Sequence, residues 1–81
     1  MHHFFITENR AMEENELKNQ IKVQRAIHNL TQEELADKVG VTRKTINTIE
    51  NGKFVPSTIL AIKLARCFGI KVEELFKLEE K

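Results

Sequence analysis

Residues 31–53 read TQEELADKVGVTRKTINTIENGK, and the signals inside this stretch set two short helices at an angle. Thr31 followed by Glu34 is a capping box, in which hydroxyl and carboxylate each satisfy a free backbone N–H, so a helix starts at Gln32. Leu35, Ala36 and Val39 form its buried stripe, and Gly40 ends it, because a residue without Cβ enters the left-handed region at no steric cost. Thr42 caps a second helix, residues 43–50, with Ile46 and Ile49 turned inward and Arg43, Lys44, Asn47 and Thr48 left outside. Val41 fills the gap between the two helices, and Ala36 is small enough to let them approach.

Outward from this core the pattern stays helical. Towards the N-terminus, Leu17, Ile21, Ile27 and Leu30 fall at the spacing of an amphipathic helix that stops near His28 and Asn29, since Asn tolerates the left-handed conformation. Towards the C-terminus, Asn51-Gly52 closes the second motif helix and Pro56 bars its continuation. Ser57 then caps an apolar helix through Ile59, Leu60, Ile62, Leu64, Ala65 and Phe68, ended by Gly69. Its apolar content predicts a buried central strut. A short fifth helix follows from Val72 to Phe76, with Glu73 and Glu74 near its positive end. There is no internal repeat and no strand-like alternation. The expected fold is all-α, a compact five-helix bundle. Its domain spans residues 15–78, with the motif at 31–51 and the outer helix at 43–50. Residues 1–14 read as a flexible leader, in which Met12 is a second candidate start, and residues 79–81 as a C-terminal tail.

Composition narrows the function classes. A chain of 81 residues, 41% hydrophobic and 31% charged, has apolar mass for one core and too much of it for a disordered segment. The single cysteine, Cys67, allows no intramolecular disulfide and no cysteine cluster for zinc, and on an apolar helix it reads as a small buried hydrophobe. No apolar run approaches the roughly 20 residues of a membrane span, so no membrane association is expected and the cytoplasm is the expected location. His2, His3 and His28 have no partners at ligand spacing, so neither metal nor cofactor is expected. No Ser-His-Asp, Cys-His or paired-carboxylate arrangement suggests catalysis. Phe76 and Leu78, close to the C-terminus, either cover the core or form a self-association patch, and the shortness of the last helix favours the second. The net charge is only +1, but the average hides a pattern. Lys38, Arg43, Lys44 and Lys53 stand against Glu50 alone between residues 38 and 53, while the acids gather near both ends of the chain. Such a molecule presents one basic face to a polyanion while remaining near neutral overall.

Two short helices joined by a glycine-containing turn are the geometry of a helix-turn-helix, whose second helix lies in the DNA major groove. Arg43 and Lys44 in its first turn suit guanine O6 and N7, and Thr48, one turn on, offers a hydroxyl or a methyl to a base. The runs TQEELA (31–36), GVTRKTI (40–46) and IENGK (49–53), followed by Pro56-Ser57, resemble the Cro and phage-repressor family of regulators, the xenobiotic-response-element type. The resemblance covers about residues 17–78. It implies a lambda-repressor-like domain in which Arg43, Lys44 and Thr48 read bases. It also implies that Gln32, Thr42, Asn47, Asn51 and Lys53 hold the DNA backbone, with Gln32 acting from a helix N-terminus. Arg25 and Glu50 match a pair that in the family forms a salt bridge between the first helix and the recognition helix, and Gly40 is the structural turn residue. Two positions depart from the pattern: Asn29 stands where Gly is frequent, and Gln24 where an apolar residue is common. The expected partner is a double-stranded DNA operator with two-fold symmetry, bound by a homodimer that represses transcription. The alternative is an antitoxin-like module whose termini bind a second protein; an enzyme is the weakest class.

Overall fold

The computed structural model describes residues 15–80; the 1–14 leader lies outside them. The order is β1 (Asn15–Asn19), α1 (Ile21–His28), α2 (Gln32–Val39), α3 (Arg43–Glu50), α4 (Thr58–Phe68), α5 (Val72–Leu75) and β2 (Phe76–Glu80). The local signals account for the helix ends. Thr31 Oγ1 accepts from the Glu34 N–H at 3.0 Å, and Glu34 Oε1 accepts from the Thr31 N–H at 2.9 Å, the reciprocal capping box. Thr42 Oγ1 and Ser57 Oγ accept in the same way at the starts of α3 and α4. Gly40 ends α2 at φ +77°, and Asn29 ends α1 at φ 57°, both in the left-handed region.

The core gathers one face of every helix: Ile21 from α1, Leu35, Ala36 and Val39 from α2, Ile46 and Ile49 from α3, Leu60, Leu64, Ala65 and Phe68 from α4, and Leu75 from α5. Val41 packs against it from the turn, and half-buried Cys67 from the back of α4. Burying these side chains at about 1.5–3 kcal/mol each is the main force that holds the helices at fixed angles.

The ends of the domain correct the all-α expectation. β1 and β2 form a two-stranded antiparallel sheet that pairs Glu16 with Glu79, Leu17 with Leu78, Lys18 with Lys77 and Asn19 with Phe76. Leu17, read as the start of the first helix, therefore lies in a strand, and α1 begins only at Ile21. Phe76, read as the last residue of the fifth helix, opens β2, which continues to Glu80 and so takes in residues assigned to the tail. The alternation Phe76-Lys77-Leu78-Glu79 has the period of a strand, with one face for Phe76 and Leu78 and the other for Lys77 and Glu79. It is only four residues long, and Leu17 and Ile21 also stand one helical turn apart, so helix spacing and strand spacing compete at both ends.

α4 departs from expectation as well. Ile59 is 69% exposed and Ile62 38%, because an 11-residue helix apolar on most sides has only one side covered. Between that open side and the sheet runs an apolar groove lined by Leu17, Val55, Pro56, Ala61, Ile62, Val72 and Phe76. No helix among the described residues is long and apolar enough to cross a membrane.

Candidate nucleic-acid interface

α3 is amphipathic in the strict sense: Ile46 and Ile49 are fully buried, and one helical step away Arg43, Lys44 and Asn47 are exposed. Thr42 and Thr45 join their hydroxyls at 3.1 Å in the first turn. Thr48 is half-buried, and its hydroxyl donates back to the Lys44 carbonyl at 3.0 Å and the Thr45 carbonyl at 2.9 Å. Its proton is thus engaged within the helix, which leaves its lone pairs and its methyl for any outside contact. Beyond the helix, Asn51 and Lys53 are exposed, and the Lys53 N–H reaches back to the Thr48 carbonyl at 2.9 Å. Gly52 makes that return possible with φ +74°.

A polar network fixes α3 to the body from two other helices. Arg25 grips Glu50 with two nitrogens, Nε to Oε2 at 2.6 Å and Nη2 to Oε1 at 3.1 Å, and donates from Nη1 to the Leu30 carbonyl at 3.0 Å. The paired side chains are only 17% and 6% exposed, so the geometry is bidentate and largely screened from water. The hydrogen bond to Glu50 is the main reason the Arg25 guanidinium is held protonated even more firmly than usual. Gln32 completes the link: its Nε2 donates to Asn47 Oδ1 and to Glu50 Oε1, both at 3.1 Å. Both amide protons of Gln32 are therefore spent inside the motif.

The C-terminal end of α3 is held by Asn19, a residue that sequence reading did not single out. Its Nδ2 donates to the carbonyls of Ile49 at 3.0 Å and Glu50 at 3.4 Å, while its Oδ1 accepts from the Ile21 N–H at 3.1 Å. One side chain thus ends β1, starts α1 and satisfies the last turn of α3. An Asn that accepts from the N–H two residues on is a readable turn signal, but the contact 30 residues away is not.

At the start of α2, bonds to the Thr31 N–H and then the Thr31 hydroxyl hold the Glu34 carboxyl below its ordinary pKa. Among the described residues no group of three or more His, Cys, Asp and Glu side chains could hold a metal ion.

The surface so built is an exposed helix face that opens with Arg43 and Lys44 and is tied to α1 and α2 by paired polar groups, and known proteins share its frame. The helix-turn-helix family profile matches residues 21–75. An uncharacterized HTH-type transcriptional regulator of Methanocaldococcus jannaschii is 55% identical over 64 residues, 79% of this chain and 97% of that one. One from Bacillus subtilis is 47% identical over the same shares. Among solved structures, a candidate DNA-binding protein from Bacteroides fragilis superposes with a TM-score of 0.68 at 28% identity, covering 75% of this chain and 98% of that one. The restriction-modification controller protein C.AhdI from Aeromonas hydrophila gives 0.64 at 29% identity, covering 68% and 83%. Profile, relatives and fold agree: the chain belongs to the helix-turn-helix family of DNA-binding transcriptional regulators, of the Cro and phage-repressor type.

Proposed function

We propose that the chain binds a specific double-stranded DNA operator as a homodimer in the cytoplasm and represses transcription by covering a promoter. The observation that carries this reading is the sidedness of α3, with Arg43, Lys44 and Asn47 in solvent and Ile46 and Ile49 sealed below. A helix so presented enters a major groove without any rearrangement of the body. Arg43 and Lys44 in the first turn select bases. Thr48 adds a methyl or an accepting oxygen, since its proton is engaged within α3.

Thr42, Asn47, Asn51 and Lys53 flank that face and take the sugar-phosphate backbone, which fixes register. Gln32 takes a phosphate from the α2 N-terminus, as the resemblance implies. With both amide protons bound to Asn47 and Glu50, its backbone N–H at the α2 N-terminus is the free donor. A single reading head spans few base pairs, so two copies on half-sites about 34 Å apart supply useful specificity.

Selection of bound duplexes from a random pool tests this reading. The expected result is enrichment of one inverted repeat with half-site centres about one helical turn apart. Recovery of unenriched DNA at every round counts against it.

A further inference from the structure

The loop that leaves α3 presents an aromatic ring that the core does not use. Phe54 is 51% exposed and stands outside the core cluster. Its position is nevertheless fixed from both sides. The Gly52 N–H donates to the Ile49 carbonyl at 3.0 Å and the Lys53 N–H to the Thr48 carbonyl at 2.9 Å, while Pro56 stiffens the chain that follows. Part of Phe54 borders a cleft shared with Leu17, Ile49 and Gly52, and the rest lies in water. A ring held in this way gives the single chain only a fraction of the burial it could supply.

Its surroundings identify what covers the open part. Asn51 and Lys53, exposed on the same loop, are the residues assigned above to the sugar-phosphate backbone. Gly52 borders both the Phe54 cleft and the one lined by Asn51 and Glu50, so ring, amide and ammonium are grouped at the C-terminal end of α3. Between successive phosphates a DNA strand carries deoxyribose, and the carbons of that sugar are the apolar part of its outer surface.

We infer that Phe54 packs against a deoxyribose of the strand that Asn51 and Lys53 hold, as an apolar anchor set beside the polar ones. The inference rests on the DNA reading above and adds a contact of a different kind to it. A lysine on a phosphate releases counterions, so its contribution falls as salt rises. A ring on a sugar releases none. Phe54 therefore helps to keep the backbone register at salt concentrations that weaken Lys53, and it favours no base over another.

Hydroxyl-radical footprinting on the selected operator tests the inference, because the radical cleaves DNA by removing a deoxyribose hydrogen. In each half-site, Phe54→Ala at saturating protein is expected to open to cleavage one sugar that the parent chain protects, with the rest of the footprint intact. Gel-shift titrations should show its affinity falling roughly tenfold on operator and random DNA alike. The salt slope should stay at the parent's value, whereas Lys53→Ala lowers it. Phe54 lies outside the core, so circular dichroism should show the variant folded, and Phe54→Leu, which keeps an apolar side chain beside Leu17 and Ile49, should retain most of the affinity. An unchanged footprint and affinity in Phe54→Ala overturn the inference and leave the reading of α3 standing. So does a loss that comes with a lower salt slope, or one that comes with dissociation of the free protein in sedimentation velocity, which would put a second copy on the ring. A parent chain that protects no DNA overturns both readings together.

Discussion

Between α2 and α3 polar groups meet partners of opposite kind, whereas across the two strands of the ribbon charged groups meet their own kind, and Lys18 finds its acid, Glu16, along its own strand. Arg25, Gln32, Asn47 and Glu50 form a connected set in which the charges are paired and the amide protons placed. The ribbon opposes Glu16 to Glu79 and Lys18 to Lys77. The first region is complete within one chain, as a rigid reading head must be.

The largest expected effect on stability lies in the network. Arg25→Ala leaves Glu50 largely buried without its cation, and the cost is about 3 kcal/mol. For a domain of this size that lowers the midpoint of thermal unfolding by at least roughly 12 °C, and calorimetry would show it. A loss under 1 kcal/mol would mean that packing of Ile46 and Ile49, and not the ion pair, positions α3.

An intermediate effect is expected where the two regions join. Asn19→Ala frees the terminal carbonyls of α3 and the first N–H of α1, and about 1–2 kcal/mol is lost. Hydrogen exchange should accelerate both in the last turn of α3 and at the start of α1. Acceleration confined to the ribbon would sever the proposed joint.

The smallest effect concerns the start of α2. Because folding lowers the Glu34 pKa from its ordinary value of 4.5, the contribution of Glu34 is complete above that value and disappears as pH falls through the lower folded value. Helicity of α2, followed by NMR, should therefore weaken only in acid, and Glu34→Gln should flatten that dependence. Glu34 is exposed, so the change is slight; an α2 that loosens near neutral pH would point to another group.

The same division explains what could be read from residues in order. The ends of α2, α3 and α4 are written within four residues of themselves, by Thr31 with Glu34, by Thr42, and by Ser57, with Gly40 and Gly69 as stops. Those signals gave both motif helices and the outward set Arg43, Lys44 and Asn47. The strands carry a weaker local mark, four residues of alternation in β2. Leu17 fits a helix as well as a strand, and only its pairing with Leu78, 61 residues later, decides between them. Apolar content misled in α4, because Ile59 and Ile62 lie beyond the reach of the core. The hold of Asn19 on α3 was out of sight for the reason Leu17 was: Ile49 and Glu50 are distant in the chain and close only after folding.

The central claim is that the exposed face of α3 reads DNA sequence, and paired gel-shift titrations at several salt concentrations test it most directly. Arg43→Ala should weaken binding to the selected operator by about 1–3 kcal/mol and relax preference at one position, while Lys53→Ala weakens all sequences alike and lowers the salt slope by about one. Equal losses on operator and random DNA for Arg43→Ala would contradict the claim.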